Sequence, residues 1–139
     1  RERFDASEAG GRTPYVRVVM HSLAFGSLVP FLDEDPKVAV DRKKMEMTQD
    51  VMANSLVYWV QDLWRAGYLG QGSKIYAMTS EGSTRVVPSY GVVSSAKATL
   101  ESHVRHELDG LGGAVVEHHP RASFVAGGRL GRREERARS

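Results

Sequence analysis

The sequence predicts an α/β fold, specifically the strand-helix-strand-helix portion of a doubly wound parallel sheet. Three observations predict it: an almost continuous apolar, β-branched run over residues 15–23, helical apolar spacing over 45–66, and a second strand-then-helix pair over 73–108. Strands alternating with helices imply a parallel crossover unit. The first run lacks the polar-apolar alternation of a half-exposed strand, as expected of a strand covered on both faces.

Composition agrees with a folded chain. A length of 139 residues suits one domain, and 41% apolar residues with a net charge of +2 exclude a disordered or collagen-like class. With no Cys, disulfides, thiol nucleophiles and Cys-based zinc sites are excluded. No apolar run approaches the ~18 residues of a membrane span, so no membrane partner is expected. The first residue is Arg1 and no charged-then-apolar leader follows it, so the natural start is expected upstream and no secretory signal is expected. Charge is uneven: residues 1–119 hold 13 basic and 15 acidic side chains, whereas 120–139 hold six Arg and two Glu. The basic tail lacks apolar periodicity. It is expected to be solvated and disordered, and no nucleic-acid partner is inferred from it.

In order along the chain, residues 1–14 contain Gly10, Gly11 and Pro14 and read as a linker or the remnant of a preceding unit. The first strand occupies 15–23. A connection over 26–45 carries Pro30, Pro36 and the acidic cluster Asp33-Glu34-Asp35. A helix over 45–66 presents Met52, Leu56, Trp59, Val60 and Leu63 on one stripe, with Gly67 as its C-terminal cap. Its second stripe, Met47, Val51, Val57 and Tyr58, predicts burial on two sides, one against a sheet and one against a partner helix or subunit. Residues 73–79 form a second strand after Gly70 and Gly72, and a loop through Pro88 leads into a helix over 89–108. Residues 114–117 read as a third, weaker strand. The folded body is therefore placed at 15–119 and the tail at 120–139; no internal repeat is found.

The second helix carries the first chemical anomaly. Tyr90, Val93, Lys97, Leu100, Val104 and Leu108 share one stripe, and Tyr90 and Lys97 lie within ~20° of each other on the wheel. Lys97 in an apolar stripe has two readings. It snorkels to solvent at the edge of the face, or it is a partly buried ammonium that depresses the pKa of a nearby phenol and binds a hydroxyl-bearing ligand. Asn54 is the second anomaly, lying mid-stripe between Val51 and Tyr58; it either satisfies a neighbouring polar group or faces solvent. Ser80 ends the second strand, where α/β folds place functional groups, and is also an ordinary loop residue when taken alone. No metal site is expected. The adjacent side chains of His118 and His119 do not easily converge on one ion, and His103 and His106 read as a solvated face. Trp59 and Trp64 read as core or interface aromatics.

Taken together, Asn54, Ser80, Tyr90 and Lys97 resemble the Asn-Ser-Tyr-Lys constellation of short-chain dehydrogenases/reductases. The stretches His-Ser-Leu-Ala-Phe-Gly at 21–26, Met-Thr-Gln-Asp-Val-Met-Ala-Asn-Ser at 47–55 and Pro-Ser-Tyr-Gly-Val-Val-Ser-Ser-Ala-Lys-Ala-Thr-Leu-Glu-Ser at 88–102 resemble one branch more closely. That branch is the enoyl-acyl-carrier-protein reductases of bacterial fatty acid synthesis, which share the Tyr-x6-Lys spacing seen here. The resemblance runs from about residue 15 to 105.

What the resemblance implies is a partial Rossmann-like domain of a cytoplasmic oxidoreductase that uses NADH or NADPH. Tyr90 would hydrogen-bond the thioester carbonyl of a trans-2-enoyl chain on acyl carrier protein and stabilise the enolate formed as hydride reaches the β-carbon. Lys97 would hold the nicotinamide ribose, and His21, Ser22, Leu23 and Ala24 would run beside the cofactor. Ser80 stands near the place where the family often carries another tyrosine, and Asn54 matches the superfamily's helix asparagine. Helices over 47–64 and 90–108 would pack against their copies in a homodimer or homotetramer. The family's Gly-rich pyrophosphate turn has no counterpart before the first strand, and the likeness stops after Arg105. The chain is thus expected to be truncated at both ends, with 106–139 reading as a shifted frame or the end of a truncated gene product. Two other readings accompany this one: a non-catalytic oligomerisation fragment of such a reductase, and a short-chain dehydrogenase acting on a carbonyl or alcohol.

Overall fold

A computed structural model of the chain describes residues 15–69 and 72–109 and the backbone of two further strands, Ala114–Glu117 and Phe124–Gly127. The linker expected over 1–14, His118, His119 and most of the tail lie outside the described residues. In chain order the elements are β1 (Val18–His21), α1 (Arg42–Gln49), a π-helical turn (Asp50–Asn54), α2 (Ser55–Arg65), β2 (Lys74–Met78), a 3₁₀ turn (Glu81–Ser83), α3 (Gly91–Asp109), β3 (Ala114–Glu117) and β4 (Phe124–Gly127).

The α/β class holds. β1 and β2 pair in parallel, with Val18 opposite Lys74 and His21 opposite Ala77, and the α1–α2 segment forms the crossover between them. Strand order is β1-β2-β4-β3. β4 pairs antiparallel with both β2 and β3, so the sheet is mixed beyond its parallel pair. Phe124–Gly127 falls within the stretch expected to be a solvated tail. Its Phe-Val-Ala run has the aromatic and β-branched character that favours a strand, a local signal outweighed in the sequence reading by the surrounding Gly and Arg.

The helices start and stop for identifiable reasons. Asp41 caps α1 by accepting from the Lys44 backbone N–H at 2.7 Å, and that bond is the main cause holding its carboxyl below the usual range. Gly67 closes α2 with φ of 75°; Gly67 N–H reaches Trp64 O and Tyr68 N–H reaches Leu63 O, the paired bonds of a Schellman motif. The single helix expected over 45–66 begins three residues earlier and is interrupted by the π turn. At this interruption the Ser55 hydroxyl donates to Val51 O at 2.7 Å, a side-chain bond that competes for a helical carbonyl.

The core lies between the helices and one face of the sheet. Ala53, Leu56, Val60, Ile75, Ala77, Leu100 and Val104 form one buried cluster, with Val19 packed against it; Met52, Val93 and Ala96 form a second, with Tyr90 at its edge. Two expectations are corrected here. The buried ridge of α2 runs through Leu56 and Val60, one turn apart, so Trp59, ~100° round the helix, is 63% exposed rather than in the core. In β1, Val19 and His21 face the helices while Val18 and Met20 are exposed, so among the described residues the strand is covered on one face, not two.

Candidate active site

The C-terminal ends of β1 and β2 and the start of α3 converge on a pocket of about 260 Å³. Its wall includes Ser22, Leu23, Ala24, Ser80, Tyr90 and Lys97, six of the residues singled out from the sequence, together with Met52, Met78 and Val93. This is the edge at which α/β sheets hold ligands, because the strand ends leave backbone groups beyond the ladder.

Lys97 does not snorkel to solvent. Its side chain is 4% exposed, and Nζ donates to Leu23 O at 3.0 Å and to Met78 O at 2.6 Å. Leu23 lies two residues beyond β1 and Met78 is the last residue of β2, so one ammonium ties both strand ends to α3. Burial pushes its pKa below the ordinary lysine value. An ammonium has three N–H donors, so one remains beyond these two bonds.

Tyr90 stands immediately before the first residue of α3. Ser89 ahead of it adopts φ of 58°, a left-handed conformation uncommon for a non-glycine residue, and this turns the chain into the helix. The phenol donates to Ser80 Oγ at 3.1 Å. Gly82 is buried against the ring, where a Cβ would overlap Tyr90 Cε1 and Cδ1. Gly26 is similarly confined: a Cβ there would come within 2.9 Å of Met52, Thr48 and Val93 side-chain atoms. The glycine lets the loop after β1 lie directly on the helices beneath the pocket.

His21 and Asn54 do not join this pocket. His21 is buried below the sheet with Nε2 2.8 Å from Ser55 Oγ. Because the Ser55 hydroxyl donates to Val51 O, its oxygen receives the His21 Nε2–H, which leaves Nδ1 as a buried acceptor without a hydrogen-bond partner. Burial first, and the nearby Lys97 charge second, push the imidazole pKa down. Asn54 Oδ1 lies 3.1 Å from His103 Nε2 and so joins the π turn to α3, away from Tyr90. Leu23 and Ala24 contribute pocket wall, and Leu23 also its carbonyl. Glu101 escaped the sequence reading: it is 8% exposed and accepts hydroxyl hydrogens from Thr79 and Ser83. Its one signal in the sequence is its place one turn after Lys97 on the same helix.

Among the described residues no group of three His, Cys, Asp or Glu side chains is arranged to hold a metal ion, and no helix is long and apolar enough to cross a membrane. A second groove of about 320 Å³ lies beside Tyr58, Trp59, Leu63 and Tyr68 on α2 and the turn after it; its one charged side chain is Asp62.

A parallel β-α-β unit with a buried lysine and a tyrosine at one strand-end pocket defines an α/β protein with a partial Rossmann-like fold. Residues 6–109 match the family model described as enoyl-(acyl carrier protein) reductase, and the chain belongs to that family. It is 29% identical over 106 residues to the enoyl-acyl-carrier-protein reductase (NADH) FabI of Escherichia coli strain K12, a match covering 76% of this chain and 39% of the relative. The corresponding FabI of Aquifex aeolicus strain VF5 is 26% identical over 111 residues, covering 80% of this chain and 38% of the relative. The crystal structure of the Aquifex aeolicus enzyme superposes with a TM-score of 0.58 at 26% identity, over 76% of this chain and 39% of that one. The chain thus spans about two fifths of the length of the relatives it matches.

Proposed function

We propose that this chain carries the catalytic strand ends of a nicotinamide-dependent reductase that saturates the trans-2 double bond of an enoyl thioester on acyl carrier protein. The observation that carries the reading is the shared pocket of Tyr90 and Lys97, with Ser80 holding the phenol and two backbone carbonyls holding the ammonium.

The residues present fit the nicotinamide half of such a cofactor. Lys97 keeps one N–H donor for a ribose hydroxyl, the Tyr90 oxygen can accept from another, and the 22–24 segment supplies a wall along which a flat ring can lie. Bound there, the cofactor supplies the hydride. The chain's own part is electrostatic. The Tyr90 O–H turns from Ser80 to the thioester carbonyl, where it opposes the negative charge that develops on oxygen, while the Lys97 ammonium lines the same pocket. Ser80 then serves as the resting partner of the phenol. Under this reading the chain works with NADH or NADPH in the cytoplasm, and Asn54 supports α3 through His103 instead of touching substrate.

Exposed Tyr58, Trp59 and Trp64 on α2 favour an additional role in self-association, which would give a dimer or tetramer built on residues 47–64 and 90–108. This is compatible with catalysis and also describes a fragment that oligomerises without turnover.

Equilibrium binding separates the two. Titrating the full chain with NADH and with NADPH, followed by cofactor fluorescence, is expected to give saturable binding that weakens at least tenfold in Lys97→Met. Absence of binding at millimolar cofactor would contradict the reductase reading for this polypeptide.

A further inference from the structure

Tyr90 lies outside the regular part of α3, behind a residue in the left-handed region, so helix geometry alone does not set its position. Something must hold the surface it rests on. That surface is the 79–83 segment: Ser80 Oγ receives the phenol at 3.1 Å, and the Gly82 backbone lies against the ring. Both ends of the segment are tied to one atom. Glu101 Oε1 accepts from the Thr79 hydroxyl at 2.5 Å and from the Ser83 hydroxyl at 2.7 Å, while Ser83 N–H donates to Ser80 O at 3.0 Å. A carboxyl this deeply buried requires such donors, and the donors in turn are fixed by it.

We propose that Glu101 is a positioning residue for Tyr90. It clamps the 79–83 segment to α3, one turn from Lys97, and so fixes the seat of the phenol relative to the ammonium. Glu101 acts through Thr79 and Ser83 and touches neither Tyr90 nor the pocket. Its consequence for turnover rests on the function proposed above, whereas its consequence for the Tyr90 ring does not.

The test therefore starts from the ring. In the full chain labelled with carbon-13 at tyrosine Cζ, Tyr90 is assigned by its loss in Tyr90→Phe and followed in Glu101→Gln, Glu101→Leu and Ser83→Ala. Glutamine keeps a carbonyl acceptor of the same reach, so its Tyr90 resonance is expected to stay in place. Glu101→Leu and Ser83→Ala are expected to shift or broaden that resonance while the other four tyrosines hold theirs. Enoyl-thioester turnover should fall about tenfold in Glu101→Leu with cofactor affinity unchanged, a loss on the scale of a small misplacement of a reacting group. An unmoved Tyr90 resonance in Glu101→Leu overturns the proposal, whatever the turnover. Should Glu101→Leu fail to fold, Ser83→Ala decides by the same criterion. If Tyr90→Phe keeps full turnover, the reductase reading fails while the ring measurement still judges Glu101.

Discussion

Lys97 and His21 are neighbouring buried bases, and both are held below their ordinary pKa by the same cause, loss of water around a charge. For Lys97 two backbone carbonyls accept from the ammonium, whereas the His21 ring has Ser55 Oγ within hydrogen-bond reach at Nε2 and an unpartnered Nδ1. The sign of the resulting pH dependence follows. A base whose pKa is lowered on folding binds fewer protons folded than unfolded, so stability falls as pH drops through the unfolded value of about 6.5. His103 is shifted the same way, by burial and then by His106, and adds to the slope. Urea unfolding at pH 7.5 and pH 5.5 is expected to show lower stability at pH 5.5, with a smaller difference in His21→Gln. An equal or higher stability at pH 5.5 would contradict this account of His21.

At the scale of elements, α3 decides both fold and site. Val92, Val93, Ala96, Leu100 and Val104 are buried along it, and Lys97 and Glu101 take two further buried positions on the same side. Leu100 is fully buried, so Leu100→Ala is expected to cost about 2–5 kcal/mol in urea unfolding, whereas Ala98→Ser on the exposed side changes stability by less than about 0.5 kcal/mol. Of these, Val93, Lys97, Leu100 and Val104 were legible in the sequence from their helical spacing, whereas Val92, Ala96 and Glu101 were not. The other long helix was only half legible. Its π turn, at which the Ser55 hydroxyl donates to Val51 O, has no periodic signature, and Trp59 is exposed because the buried ridge of α2 is narrow, running through Leu56 and Val60. Tyr90 and Lys97 could be paired from spacing alone. Glu101 could not, because its partners Thr79 and Ser83 come from a strand end and a turn whose position depends on the tertiary fold.

For the whole molecule, the parallel pair β1–β2 and the helices on one face were written in the order of apolar runs, while the antiparallel addition of β4 between β2 and β3 was not. A four-residue strand among Gly and Arg carries too little local signal to outweigh its surroundings. The large exposed side chains belong to this scale too. Tyr58, Trp59 and Trp64 contribute nothing to the core, so Trp59→Ser is expected to leave unfolding unchanged within about 0.5 kcal/mol while lowering the molar mass seen by light scattering. A variant with unchanged mass would contradict the proposed self-association through α2.

Under the proposed function the Tyr90 phenol, which shares its pocket with the buried Lys97 ammonium, stabilises the oxygen of an enoyl thioester during reduction. The most direct measurement is oxidation of NADH or NADPH by the full chain in the presence of a crotonyl thioester, compared with Tyr90→Phe. Thioester-dependent oxidation is expected, falling at least a hundredfold in Tyr90→Phe with cofactor binding retained, the scale of losing one oxyanion donor. Equal rates in the two chains would contradict this role of the phenol.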